Sequence, residues 1–389
     1  MDTTMMPSSD RILTTHTGSL PRPASLTDRH DPEAVRAAVR ETVDRQVAAG
    51  IDVIGDGETS KPGYSTYVTE RLSGFGGPPM TVPRWGYEQF PEFARKMWGT
   101  GKGVTDVNPS CDGPVSYLDL APVAADIANL RAAAADAPEV AGAFMTAASP
   151  GVIDMFMKNR YYPSTEEYIG ALADAMKPEY DAIHQAGLTL QLDCPDLACA
   201  WTHGEPRTVA EFRKTVAMRL EALDHATRDI PAEAMRLHLC WGNFAGPHTN
   251  DIPLADIIDL VLRARPAVVS FEGANPRHEH EWQVFEDVRL PDGKALMPGV
   301  IDSTTNYVEH PELVAQRIGR YADLVGWENV IAGTDCGFAT FVTHVVVEPE
   351  ITWAKLATLA EGARLASERH WKRLSGGGAD TTGRRSLRQ

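Results

Sequence analysis

The 389-residue sequence lacks the features that would place a protein in a membrane, on a nucleic acid or outside the cell. No run of 18 or more residues is apolar, which excludes a helical membrane span. The first ten residues (MDTTMMPSSD) have neither a basic start nor an apolar stretch, so no secretory signal is expected and a cytoplasmic location follows. Cysteine is sparse: Cys111, Cys194, Cys199, Cys240 and Cys336, none in CxxC spacing. In a reducing compartment these five form no disulfide framework and serve as buried apolar side chains, metal ligands or reactive thiols. Positive charge is in deficit, 37 Lys and Arg against 53 Asp and Glu, for a formal charge of −16. Such a chain repels phosphate backbones and anionic lipid, so neither nucleic acid nor membrane is an expected partner. No GxGxxG opens a helix, and neither GxxxxGK(S/T) nor HExxH occurs, so dinucleotide, P-loop and zincin readings lose support.

What is present is an alternation of strand-like and helix-like segments. Strands are expected at 11–16, 51–56, 139–146, 188–193, 235–240, 267–272, 296–302 and 329–335. Helices are expected at 165–186, 208–228, 254–264, 311–325 and 350–372, and one more opens at Asp31-Pro32 and ends at Gly50. Eight strands, nearly all followed by a helix, fit an α/β fold with parallel strands, either a (β/α)8 barrel or an open doubly wound sheet. The chemically distinctive residues stand at the C-terminal ends of many different strands, and a barrel gathers those ends on one face. The expected fold is therefore a TIM-like (β/α)8 barrel with an insertion after strand 2. Residues 1–10 would be a flexible start, 11–374 a single catalytic barrel with 58–115 as insertion or lid, and 375–389 a disordered tail.

One constellation carries chemistry. His238 and Cys240 are two apart at a strand end and so share a face. Glu272 ends the next strand (VVSFEG) and Cys336 the last (AGTDCGF). A His, two Cys and a Glu at one rim fit a tetrahedral zinc shell. Zinc with two thiolates and one carboxylate carries a formal charge of about −1, a poor setting for activating water. It suits a substrate thiol, pKa ~8.5 when free, which displaces the carboxylate and stays nucleophilic as the zinc thiolate. Sulfur alkylation is the reaction class that follows.

Five segments, THTGSLPRP (15–23), VIGDGE (53–58), LQLDCPDL (190–197), HLC (238–240) with SFEG (270–273), and GTDCGF (333–338), resemble the C-terminal catalytic barrel of the cobalamin-independent methionine synthase family. The resemblance implies zinc held by His238, Cys240, Glu272 and Cys336. It also implies a pocket for an amino-acid thiol such as homocysteine, with Thr17 and Ser19 at its carboxylate and Glu58 and Asp193 at its ammonium. The implied activity is that of a 5-methyltetrahydropteroyltriglutamate-homocysteine methyltransferase. The chain has no room for that family's second barrel-like domain. Thr304, two residues after Asp302, stands where the family has a proton-handling His, and Cys194 and Cys199 stand where it has acids. His16, Asp302 and Thr304 are the donor-side candidates. These departures open an alternative, a zinc-dependent alkyltransferase whose electrophile is a corrinoid-bound methyl or an epoxide instead of a folate. Two further rivals rank lower: a metal-free decarboxylase of the uroporphyrinogen type, and a non-catalytic zinc module. His278 and His280 (NPRHEHEW) read as a solvated loop. His248, in the GPHTND loop, either lines a donor pocket or is a structural loop residue. Phe75, Trp85, Tyr87 and Phe90 offer either a stacking surface for a planar donor or the packing of a lid.

Overall fold

The computed structural model describes residues 8, 10–80, 85–98, 108–204, 207–340 and 346–376. Most of the expected flexible start and the tail beyond Gly376 lie outside the described residues. The helix Pro349–Gly376 takes in Ser375 and Gly376, which the sequence assigned to the tail. Among the described residues no helix is long and apolar enough to cross a membrane.

The strands are β1 (Val53–Gly55), β2 (Phe75–Gly77), β3 (Ser110–Cys111), β4 (Gly142–Ala148), β5 (Thr189–Asp193), β6 (Met235–His238), β7 (Val268–Phe271), β8 (Ala295–Ile301) and β9 (Gly333–Thr334). Seven of them form one parallel sheet in the order β1-β4-β5-β6-β7-β8-β9, and β2 pairs antiparallel with β3 in a separate ribbon. The protein is thus an α/β protein built on parallel strands, as the alternation predicts. The expected strand 11–16 is reduced to two parallel bridges, Thr14 to Ala332 and Thr15 to Val53, which connect the two edges of the sheet.

Helices fall between the strands and start where local chemistry favours them. Asp31 caps Pro32–Ala48 by accepting from Glu33 N–H, with Pro32 in the first turn. Thr208 and Glu211 form a capping box at Val209–Ala226. The expected helix 254–264 is broken into a short 3₁₀ turn and Ile258–Val261. Among the described residues four helices escape the sequence pattern: Pro91–Trp98 inside the insertion, the alanine-rich Ala121–Ala135, Pro150–Phe156 and the single turn Val284–Asp287.

Period-two alternation sorts the sheet into two faces. Met145, Leu190, Leu192, Leu237 and Val269 join the main core with helix residues such as Val43, Leu130, Met176 and Ile318. The opposite face carries a smaller apolar cluster, Leu13, Val53, Phe144, Val268, Ala295, Met297 and Ile331, at the start of the strands. Above it on the same face come polar side chains: Thr15, Gln191 and Arg236, then Thr146, Asp193 and His238. The alternation that sends leucines to the helices therefore sends the chemistry to the strand ends.

Candidate active site

A cavity of about 280 Å³ opens at the C-terminal ends of the strands. Its lining includes His238, Cys240 and Cys336 together with Thr17, Ser19, Glu58 and Asp193. Seven residues drawn from five separate sequence segments thus meet in one place.

His238, Cys240 and Cys336 offer ligand atoms within 4.8 Å of one another, and all three residues are buried. His238 ends β6, in register with Asp193 on β5 and Ser270 on β7. Its Nδ1 lies 3.3 Å from Ser270 Oγ, while Nε2 is buried with no hydrogen-bond partner. Burial, with Arg236 nearby, pushes its pKa down to about 3, so the ring is neutral and keeps a lone pair for a ligand. The Cys240 and Cys336 sulfurs are 3.7 Å apart. That is far beyond a disulfide bond. It matches the separation of about 3.8 Å that two sulfurs 2.3 Å from a tetrahedral zinc would have. Without a cation, the Cys336 thiol beside it and then burial raise the Cys240 pKa well above its usual value. Gly242 N–H points at Cys240 Sγ from 3.2 Å and favours charge on that sulfur. An orphaned imidazole nitrogen and two apposed thiols are a donor set that fits zinc.

Glu272 stands beside this trio but is not one of the three converging ligands. Its Oε1 accepts from Trp241 N–H at 2.7 Å and its Oε2 from Asn275 Nδ2 at 2.8 Å. Asp335 in turn accepts from the N–H groups of Gly273, Ala274 and Asn275, fixing the loop that follows Glu272.

On the other wall, Glu58 has a left-handed backbone, φ 56°, in the turn after β1. Its N–H donates to Asp56 Oδ1 at 2.9 Å, which holds that conformation. Glu58 Oε1 accepts from the Thr146 hydroxyl at 2.9 Å, and Oε2 is buried without a partner. Gly18 explains how the carboxylate comes so close to the first turn: a Cβ there would sit 2.7 Å from Glu58 Oε1. Asp193 Oδ1 accepts from Gln191 Nε2 at 2.7 Å. Burial, then the neighbouring Glu58 charge, raises the Asp193 pKa. Two buried acids facing one cavity are costly to ionise together, and a cation between them relieves that cost. The Thr17 hydroxyl is spent on Thr334 O at 2.8 Å. Ser19 Oγ accepts from Ala339 N–H at 3.3 Å and retains its own proton to donate.

The donor-side candidates do not reach the cavity lining. His16 is fully enclosed, Nε2 on Gln46 Oε1 at 2.7 Å and Nδ1 accepting from Gly18 N–H at 3.2 Å. Asp302 accepts from the Thr304 N–H and hydroxyl at 2.9 and 2.8 Å, so both residues close a turn. His248 bonds Asp251 and the Phe244 carbonyl instead of the cavity. His278 corrects the expectation of a solvated loop: it is buried, bonded to Asp251 and Glu281 and stacked on Trp241 at 4.3 Å, whereas His280 is exposed. Of the two cysteines replacing family acids, Cys199 lines the cavity and Cys194 does not. Trp85 packs on Trp201 and Tyr87 on the cavity-lining Phe244, so these two aromatics stand behind the lining, to which the expected insertion contributes Glu58 and Tyr64 directly.

Tyr64, Phe156, Asn243, Phe244 and Thr340 also line the cavity and carry no sequence signal of their own. Phe156 ends the helix Pro150–Phe156, and the other four come from irregular loops without a period. Asn243 was the most findable, three residues beyond Cys240. It donates to Gly337 O at 2.6 Å and Thr340 Oγ1 at 2.7 Å and accepts from Ser303, joining the loops after β6, β8 and β9.

The family model described as "Cobalamin-independent synthase, Catalytic domain" matches residues 145–355, more than half the chain. A methionine synthase of Saccharolobus islandicus is 24% identical over 375 residues, covering 91% of this chain and 95% of its own length. A 5-methyltetrahydropteroyltriglutamate–homocysteine methyltransferase of Shewanella oneidensis is also 24% identical, over 85% of this chain but only 39% of its own. Among solved structures, a B12-independent methionine synthase from Shewanella sp. W3-18-1, in complex with selenomethionine, superposes with a TM-score of 0.72 at 19% identity, covering 93% of this chain and 99% of that one. The chain belongs to the cobalamin-independent methionine synthase family, as a version of its catalytic domain.

Proposed function

We propose that this protein is a zinc-dependent S-methyltransferase that takes a homocysteine-like amino thiol as acceptor. The observation that carries the reading is a single cavity with two apposed cysteines and an orphaned imidazole on one wall and two buried acids on the other. His238, Cys240 and Cys336 would hold the metal, with Glu272 as the adjacent oxygen donor that a substrate thiol displaces. Zinc bound there supplies positive charge that favours the thiolate form of a thiol while leaving it nucleophilic. Glu58 and Asp193 bind and orient the substrate ammonium, and Ser19 donates to its carboxylate. Tyr64, Phe156 and Phe244 keep water from the sulfur. In the same reading Thr14 and Thr15 are the eighth strand that closes the sheet into a ring.

A second reading concerns the donor. A folate nitrogen is a poor leaving group, and general-acid help in such a step contributes ~10²–10⁴-fold. The expected proton sources are engaged elsewhere: His16 on Gln46, His248 on Asp251, and Thr304, itself too weak an acid, on Asp302. Glu58 and Asp193 are assigned to the ammonium. This favours an electrophile that leaves without protonation, such as a corrinoid-bound methyl group. The uroporphyrinogen-type alternative is disfavoured because the described lining has no Lys or Arg to anchor several carboxylates.

The test is a product assay on zinc-loaded protein with homocysteine and, separately, methyl-tetrahydrofolate and methylcobalamin. Methionine formed with either donor supports the reading. Zinc-free purified protein that takes up no zinc on reconstitution overturns it.

A further inference from the structure

Two cations lie buried beneath the cavity, and neither lines it. Lys61 and Arg236 are almost wholly inaccessible. Lys61 Nζ bonds Thr146, at 2.6 Å to the carbonyl and 2.9 Å to the hydroxyl. The Thr146 hydroxyl continues to Glu58 Oε1 at 2.9 Å. Arg236 Nε bonds Gln191 Oε1 at 2.6 Å, and Gln191 Nε2 continues to Asp193 Oδ1 at 2.7 Å. In each case a neutral side chain joins a buried cation to a cavity acid.

The direction of these hydrogen bonds is forced. Lysine and arginine only donate. The Thr146 oxygen therefore accepts from Lys61, and its proton must point at Glu58. The Gln191 oxygen likewise faces Arg236, and its NH₂ must face Asp193, which settles the amide orientation from the network. Each acid is thus presented with a donor at one carboxylate oxygen. A direct ion pair would offset their charge as well, but it would occupy the carboxylate edges that face the cavity.

We propose that Thr146 and Gln191 are specificity-determining positioning residues, passing the charge of Lys61 and Arg236 to Glu58 and Asp193 while leaving those acids open to an ammonium group. The proposal rests on the amino-thiol reading above and adds the residues that make the pocket selective for the amine.

The experiment measures dissociation constants of zinc-loaded protein for homocysteine and for 4-mercaptobutanoate, which lacks only the ammonium. Wild type is expected to prefer homocysteine. Thr146→Val should weaken homocysteine binding by about tenfold or more, as for loss of one charge-assisted hydrogen bond, and leave 4-mercaptobutanoate within about twofold. Thr146→Ser should restore the preference. Gln191→Met tests the other arm in the same way, and 4-mercaptobutanoate binding reports that each variant pocket is intact. A Thr146→Val protein that keeps the wild-type preference, or loses both thiols equally, overturns the proposal alone. A wild type with no preference for homocysteine overturns the amino-thiol reading and this proposal with it.

Discussion

The backbone N–H of Trp241 donates to Glu272 Oε1 across 2.7 Å, coupling the residue after Cys240 to the end of the neighbouring strand. The carboxylate is thereby parked beside the cysteine pair before any ligand arrives, its second oxygen held by Asn275. Both carboxylate oxygens of Glu272 thus have hydrogen-bond donors of their own, from Trp241 and Asn275.

Purified protein is expected to carry about one zinc per chain, the stoichiometry of a single tetrahedral site. Cys240→Ser and Cys336→Ser should each lose the metal, measured by elemental analysis, while far-UV circular dichroism stays that of wild type. Full occupancy in both variants would remove these cysteines from the ligand set.

Asp193→Asn keeps the shape of the side chain and removes its charge. Homocysteine affinity should fall by roughly 1–3 kcal/mol, the range for a charge-assisted partner, with zinc content unchanged. Calorimetry on the zinc-loaded variant decides it, and equal affinity would assign the ammonium elsewhere.

Thr304 spends its hydroxyl on Asp302, outside the cavity lining. Thr304→Val should therefore leave the transfer rate unchanged with any donor and lower thermal stability by about 1 kcal/mol, a typical net hydrogen bond. Methyl-tetrahydrofolate should react more slowly than methylcobalamin, by up to ~10²–10⁴-fold if general-acid help is missing. Efficient methionine formation from methyl-folate that collapses in Thr304→Val would reverse both statements.

His278 sits between Asp251 and Glu281 in the loop behind Trp241. Burial opposes its charge, but the hydrogen bonds to those two acids outweigh it and lift the pKa from 6.5 to about 10. A raised pKa means stabilisation that is complete below about pH 6.5 and lost as pH climbs towards 10. Thermal melts of wild type should therefore decline across that window more than those of His278→Gln. Parallel declines would show that the imidazolium is not what holds the loop.

The parts of the site legible from the residues alone are those at strand ends, whereas Thr17, Ser19 and Glu58, in turns, are legible only through the family resemblance. His238 and Cys240 two apart, and Asp193 at the end of an apolar run, follow from period-two geometry. Thr146 and Gln191 obey the same period but sit among ordinary strand residues, and their roles depend on partners 85 and 45 residues away. RILTTH has strand composition, yet within it only Thr14 and Thr15 make bridges, so composition overstates the first strand. The polar motif around His278 does not reveal that Asp251 and Trp241 pack against it. In Ala121–Ala135 alanine on every side blurs the apolar stripe that marks a helix.

The apolar cluster of Leu13, Val53, Phe144, Val268, Ala295, Met297 and Ile331 gives the polar face a dry floor. The Arg236 guanidinium lies over the Phe144 ring at 3.5 Å to its centroid, so this buried cation is held between an aromatic face and its own hydrogen bonds. Seven apolar side chains thereby raise the worth of every polar contact directly above them, because a buried polar group that loses its partner there has no water to replace it.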